Sequence, residues 1–434
     1  MWTYEVSVGL WSEKKEAFYA LCMSLAPHLG KYGTMRARME TLYKLAGAYN
    51  QVGPEWTQRL NALAPGLVPF ANGLFHIATE QLRAFRPEDL LTVKFGFDAP
   101  TAAELAHAAN TNALQVVRQC MVELFPEAAL RSEVMKRLAS SFFRGKPQEG
   151  KYFLQLYGEG NNGKTTLFQM LRTAFPAWVQ MPEVEHLLMH GRRSDANAPQ
   201  PWKMDVMGAR LVLLEEPPAD GAFDAKLLCK LRGGGVVTGR NLYAQNVSYL
   251  PTYRIVIGAN SPIEMQPTDR AVLNSIHVYA MPSTFVDAGD PRLGPPAQGL
   301  FYAKVADLHA RFAQRDYRLA LFHVLREYYD EYEGDGLDSQ QTPHDLRSIY
   351  QEEHGRTDQE FFDACFVVVD QDGGERLTTG AIHDALKDQG YAKSKKALGA
   401  WLKSRFHEHA SVRVVHHSGV LKWVCIEPAP DDGA

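Results

Sequence analysis

The sequence predicts an α/β protein: a core built on a phosphate-binding loop, preceded by a mostly helical segment and followed by a winged-helix-like domain. Three observations carry that expectation. An apolar run, Phe153 to Tyr157, leads into Gly158-Glu-Gly-Asn-Asn-Gly-Lys-Thr-Thr166 and then into a helical stripe. Two later apolar runs, Ala209 to Leu214 and Tyr253 to Ala259, end abruptly in polar residues, as buried parallel strands do. Residues 377–426 read helix, helix, strand, turn, strand.

The glycine loop is the most specific feature. Gly158, Gly163, Lys164 and Thr165 fit G-x-x-x-x-G-K-[ST] between a strand and a helix. Glycines let backbone N–H groups turn inward around an anionic triphosphate. The helix N-terminus adds donors and partial positive charge. Lys164 can reach the β/γ phosphates and the Thr165 hydroxyl can hold Mg²⁺. The whole run Gly158, Glu159, Gly160, Asn161, Asn162, Gly163, Lys164, Thr165 and Thr166 is the candidate ATP cradle.

Composition bounds the rest. The 434 residues suit about three domains. Apolar content of 45% and charged content of 22% are ordinary for a globular chain with a real core. A net charge of −4 leaves nucleic-acid contact to local basic patches. The five cysteines (Cys22, Cys120, Cys229, Cys365 and Cys425) are scattered, without zinc-ligand spacing, so reduced thiols in an intracellular protein are expected. The start lacks a signal peptide's pattern, and no window approaches a transmembrane span.

In chain order, residues 12–63 read as helical, with Met35, Met39, Leu42, Leu45 and Ala46 as a core stripe. Residues 66–98 break into short apolar runs, and Asn72-Gly73 signals a hairpin. Residues 101–143 read as two helices, with Val134, Met135, Leu138, Ala139 and Phe142 on one face. Gly145 to Gly150 reads as a linker. After the loop, Leu167, Met170, Leu171 and Phe175 continue a helix that Pro176 stops. Residues 190–203 read as a polar loop.

The run to Leu214 ends in Glu215-Glu216-Pro217, two carboxylates at a strand's carboxyl end. One acid, Glu215, is assigned to hydrated Mg²⁺ and the other, Glu216, to the attacking water. Asn260 ends the next strand and either positions that water through its amide or merely starts a turn before Pro262. Between them, Val236 to Tyr243 and Val247 to Tyr249 predict a hairpin. Arg240, Tyr243 and Tyr249 would offer phosphate and stacking contacts to a single strand; the alternative is a solvated hairpin without a partner.

Together, Gly158 to Thr166, Leu211 to Pro217, Leu228 to Tyr243 and Ile255 to Pro262 resemble the superfamily-three helicases, specifically the primase–helicases of large DNA viruses (the poxvirus type) and related phages. Val68 to Gly73 with Phe85 to Asp89, and Pro343, Tyr350 and Asp358 to Phe362, resemble the family's flanking segments, so the likeness covers roughly residues 60–365. The resemblance implies an AAA+-like core, a hexameric ring, ATP and Mg²⁺ as cofactors, and DNA threaded through a central pore. By resemblance Lys164 and Thr165 bind triphosphate and metal, Glu215 and Glu216 are the acidic motif, Asn260 is the sensor, and Arg240 belongs to the pore hairpin. A viral replication site in host cytoplasm or nucleus is implied as well.

Two departures stand out. Where the family usually has an Arg-Arg pair that includes a trans-acting finger, this chain has Asn274-Ser275; Arg270 is the nearest substitute. Gly235 replaces a usual Asp. The chain also has no room for the family's primase domain, which points to a primase on another polypeptide or to none.

In the tail, residues 299–332 read as paired helices and Glu331 to Gln341 as an acidic linker. Ala381, Ile382, Ala385 and Leu386 form one apolar face, and Leu398, Trp401, Leu402 and Phe406 another. Val412 to Ile426 alternates around His417-Ser-Gly419 as a hairpin. Lys393, Lys395, Lys396, Lys403, Arg405 and Arg413 make this region basic, for DNA contact or as an ordinary solvated face. The expected domains are 1–145, 146–300, 301–365 and 366–434. The function expected is an ATP-driven ring helicase acting on DNA; the alternatives are a DNA-gripping scaffold or loader with weak ATPase, and a remodelling ATPase acting on protein.

Overall fold

The central sheet forms where the apolar runs lie. In the computed structural model its strands are β1 (Phe153–Tyr157), β2 (Val179–Gln180), β3 (Leu211–Leu214), β4 (Arg254–Ala259) and β5 (Ile276–Ala280). The structure describes residues 2–5, 8–25, 54–108, 111–144, 152–158, 160–189, 199–218, 222–232, 235–242, 246–260, 263, 265–266, 276–293, 300–305, 307–337, 358–368, 376–388, 395–406, 412–417, 420–424 and 426–428. The expected stripe at Met35 to Ala46, the linker at 145–150, and Pro343 and Tyr350 lie outside them.

All five strands are parallel, in the order β5-β1-β4-β3-β2. β3 and β4 are buried along their whole length, because helices and loops cover both faces of a parallel sheet. β4 lies between β1 and β3, with Ala259 beside Tyr157 and Ile257 beside Leu214. That order sets Gly158, Glu215 and Asn260 side by side at one sheet edge. Helix α3 (Lys164–Ala174) packs so closely over β4 that a Cβ on Gly258 would come within 3.0 Å of the Phe168 ring.

The chain separates into two compact units, 1–347 and 348–434. The first shares one core across the expected boundaries at 145 and 300. Helices α1 (Asn112–Leu124), α2 (Ala128–Arg144) and α4 (Arg315–Asp335) pack with the sheet. Phe142 meets Phe175 at 4.8 Å, and Phe322 meets Phe70 at 5.5 Å and Phe143 at 5.6 Å, mostly edge to face. The predicted face Val134, Met135, Leu138, Ala139 and Phe142 is fully buried there.

Several expectations need correcting. The N-terminal segment is not mostly helical among the described residues. Thr3–Glu5 pairs with Leu10–Ser12, and Leu67–Phe70, Gly73–His76 and Gln81–Arg83 form a three-stranded antiparallel sheet. The Asn72-Gly73 turn does join two strands as predicted, and Gly73 takes φ 154° with the Arg83 carbonyl 2.4 Å from where a Cβ would sit. Residues 101–144 hold three helices, the extra one at Ala102–Ala108. Phe301–Ala303 is a strand paired with Thr284–Val286, not part of a helix pair. α4 runs to Asp335 through Gly334, so the acidic stretch from Glu331 begins as helix; Tyr329 and Tyr332 bury against α2 and hold it.

At the sheet end opposite the glycine loop lies a buried charged cluster. Arg137 donates to Glu133 at 2.7 Å, and Tyr279 Oη donates to Glu133 at 3.3 Å. Arg254 stacks on Tyr152 at 3.7 Å and donates to its carbonyl at 3.0 Å. These contacts fasten α2 to the strands.

The second unit holds helices Thr379–Asp388 and Lys395–Arg405 and a three-stranded antiparallel sheet of Arg376–Thr378, Val420–Val424 and Arg413–His417. A further pair, Phe366–Val368 with Ile426–Pro428, carries no alternation long enough to read from sequence. Ile382, Leu386, Leu398, Leu402, Phe406 and Trp423 form its core. Ala381 is exposed rather than part of that face.

Candidate nucleotide site

The site starts from β1. Its apolar run ends at Gly158, where a Cβ would come within 2.7 Å of the Met281 carbonyl and 2.2 Å of the Asn162 amide nitrogen. Only glycine fits. The chain then turns through Asn161 at φ 63° and Gly163 at φ 85°, both left-handed, and α3 begins at Lys164. The Asn161 carbonyl accepts from the Phe285 backbone N–H at 2.7 Å, which anchors the turn from outside.

Lys164 is buried and its ammonium uses all its donors. Nζ donates to the Gly158 carbonyl at 2.7 Å, to Asn162 Oδ1 at 3.0 Å and to Asn260 Oδ1 at 2.8 Å. Asn260 in turn donates to Glu216, from its backbone N–H to Oε1 at 3.1 Å and from Nδ2 to Oε2. Burial holds the lysine below its ordinary value of 10.5, and the Glu216 charge opposes that shift. A cleft of about 300 Å³ opens here, walled by Gly160 to Thr166, Phe168, Glu215, Glu216, Gly258 and Asn260.

The chemistry of these groups fits an anion beside a hard cation. Asn162 Nδ2 is a buried donor with no partner, next to the lysine. The Thr165 hydroxyl and the Glu215 and Glu216 carboxylates line the same cleft and are the oxygen ligands that Mg²⁺ takes. Among the described residues no group of three or more His, Cys, Asp or Glu side chains is placed to hold a metal ion.

The structure brings Gly158, Gly160 to Thr166, Glu215, Glu216 and Asn260 to one cleft or its edge. Glu159, Tyr243 and Arg270, with Asn274 and Ser275, lie outside the described residues. The hairpin forms as Val237–Gly239 against Val247–Tyr249. Arg240 follows its first strand, half-buried, and its carbonyl accepts from the Gln200 N–H at 3.2 Å. Tyr249 is a correction: it is buried, and its hydroxyl donates to the Lys203 carbonyl at 2.7 Å, so it cannot stack on a base. It faces inward because strand side chains alternate, which the short run could not reveal. Thr57 ties the same strand down by donating to the Ser248 carbonyl at 2.6 Å. Lys395, exposed, and Lys396 lie in the second unit's helix Lys395–Arg405.

Sequence reasoning assigned Asn162 only to the loop. Its part in holding the lysine follows from the turn geometry. The residue type was a signal, since an amide inside such a loop offers an acceptor to an ammonium.

The chain is similar to three viral proteins. It is 25% identical over 182 residues to "Putative helicase V13" of Sputnik virophage, covering 42% of this chain and 23% of that protein. It is 20% identical over 275 residues to the similarly named L207/L206 of Acanthamoeba polyphaga mimivirus, covering 62% of this chain and 27% of that one. It is 27% identical over 173 residues to 022R of Frog virus 3, covering 38% and 17%. The matched regions thus span about a quarter or less of the length of these curated relatives. No family model matches the chain. Among solved structures, the NrS-1 C-terminal region, residues 305–718, aligns over 73% of this chain and 79% of that one, at 13% identity and a TM-score of 0.37, too loose to fix a fold. Among the described residues no helix is long and apolar enough to cross a membrane.

Proposed function

We propose that the protein binds ATP with Mg²⁺ at this cleft and hydrolyses it to move along and unwind DNA, as a ring of identical subunits. The observation that carries the reading is the unbroken chain Lys164–Asn260–Glu216 at the strand ends, behind a glycine turn that exposes donors to an anion. The names of the three viral relatives support the helicase part.

Chemistry follows from the residues. A triphosphate entering the cradle must take at least one of the three acceptors' places on Lys164. Gly158 is fixed at the end of a buried strand, so Asn260, with a free side-chain torsion, is the one to give way. Its amide then turns to the phosphate, and Glu216 is released to accept a proton from the attacking water. A bound Mg²⁺ would neutralise charge on the phosphoryl oxygens, held through Thr165 and Glu215 with water and substrate oxygens completing its shell. Arg240 and Tyr243 would grip a strand, Arg270 would act on a neighbour's phosphate, and Lys395 and Lys396 of a winged-helix-like unit would add duplex or backbone contacts.

A second reading, a DNA-gripping scaffold or loader with slow turnover, is favoured by Asn274-Ser275 in place of an arginine pair. The test is ATP turnover with and without single-stranded DNA, alongside strand displacement, using Lys164→Ala as control. DNA-stimulated turnover with displacement supports the helicase. DNA binding with negligible turnover supports the scaffold. Neither nucleotide nor DNA binding sinks both.

A further inference from the structure

A second and larger cavity, of about 820 Å³, opens on the other side of the loop. Gly163, Thr165 and Thr166 line both it and the phosphate cleft, so the two are continuous around the start of α3. Its walls are different in kind. Leu124, Met170, Phe285 and Val305 make it largely apolar, and Val305 is 43% exposed at its wall, high for an aliphatic side chain. Phe285 is half-buried, lies against Tyr302 at 5.9 Å and is tied by its backbone to the loop at Asn161. A Cβ on Gly163 would sit 2.4 Å from Leu124 and 3.0 Å from Phe285, so loop and cavity wall are packed as one piece.

Gln169 stands out among the polar groups. It lines the cavity one helical turn past Thr165, on the same face of α3. Among the described residues its carboxamide has no hydrogen-bond partner. A carboxamide offers a donor and an acceptor side by side, the pattern that pairs with the amino group and ring nitrogen of adenine. A guanine edge presents the opposite arrangement at that amino position.

We infer that this cavity is the nucleoside subsite of the proposed nucleotide site, with Phe285 as its stacking wall and Gln169 as the residue that selects adenine over other bases. The inference rests on the phosphate-cleft reading, because only a ligand anchored at Lys164 is carried along this face of α3. The cavity's size lies in the range of small-molecule sites, and apolar walls with few polar groups are what a base and sugar need.

The experiment measures equilibrium binding of ATP, GTP, CTP and inorganic tripolyphosphate to the full chain, wild type and variants. Wild type is expected to favour ATP over GTP and CTP by about tenfold or more. Gln169→Leu should erase that preference and leave tripolyphosphate affinity unchanged. Phe285→Ala should weaken all three nucleotides by about tenfold, again without moving tripolyphosphate. Phe285→Trp, which keeps a stacking face, should retain ATP binding and excludes a folding defect as the cause. Equal affinity for all three nucleotides, a preference for GTP, or ATP affinity unmoved in both variants overturns the inference while the phosphate reading stands. Failure of wild type to bind even tripolyphosphate overturns both.

Discussion

Asn260 joins Lys164 to Glu216: its side-chain oxygen accepts from the lysine at 2.8 Å while its two nitrogens donate to the glutamate. One amide thus holds the phosphate-binding cation and the water-activating base at once. The lysine sits at the start of α3, the amide at the end of β4 and the acid just past β3, and only the parallel order of the sheet makes them neighbours.

Asn260→Ala removes both contacts. ATP affinity is expected to stay within a fewfold of wild type, since Lys164 keeps Gly158 and Asn162. Turnover should fall by about 10²–10³, the usual loss for a positioning donor at a phosphoryl or acyl centre. Single-turnover hydrolysis measured beside equilibrium binding separates the two effects. A faster variant would mean that the amide only restrains Glu216.

Glu216→Gln should bind ATP and hydrolyse it about 10²–10⁴ more slowly. Glu215 is exposed at the cleft edge and shows no bond to Asn260, so Glu215→Gln should weaken Mg²⁺ dependence more than the chemical step. Turnover titrated with Mg²⁺ checks this. Loss of chemistry in Glu215→Gln alone would reverse the roles.

The glycines of the loop are unequal. Gly158→Ala drives a Cβ into the Met281 carbonyl and the Asn162 amide, and should destabilise the protein by about 1–3 kcal/mol and abolish ATP binding. Gly160→Ala meets nothing within 4 Å and its backbone is not left-handed, so it should be close to neutral. Denaturant unfolding with an ATP-binding assay on both variants checks the contrast.

Lys164 predicts a pH dependence. Burial lowers its folded value below the ordinary 10.5 that the unfolded chain keeps. Between the two values the unfolded chain binds more protons, so the stability of the ligand-free protein rises with pH in that window. ATP affinity moves the other way, since a neutral amine brings no charge to the phosphates. It should decline with rising pH before an ordinary lysine titrates, and Lys164→Arg, charged throughout, should flatten that decline if it still binds. ATP affinities measured across the alkaline range decide; a decline of equal size in Lys164→Arg would assign it elsewhere.

Glu133→Ala strands Arg137 in a buried site, both side chains being 4% exposed or less. The expected loss is about 3–5 kcal/mol, read by denaturant unfolding. A loss under about 1 kcal/mol would mean that water reaches the arginine.

What the sequence determined by itself is the set of local commitments. A left-handed turn needed glycine at 163, a buried parallel strand needed Leu211 to Leu214 apolar, and a helix had to follow Lys164. Each depends on residues close in the chain, so spacing alone reports it. Alternation likewise announced the second unit's helices and the Asn72-Gly73 hairpin. Tertiary structure decided the rest. Strand order put Asn260 between Lys164 and Glu216. Packing turned Tyr249 inward to the Lys203 carbonyl, carried α4 to Asp335, and made one core from segments that composition separated at 145 and 300. Gln169 and Phe285 line one cavity only because α3 and the strand at Thr284–Val286 lie side by side. Such partners are far apart along the chain, and neither carries a mark of the other, because burial and hydrogen-bond pairing are settled by which surfaces meet when the elements pack.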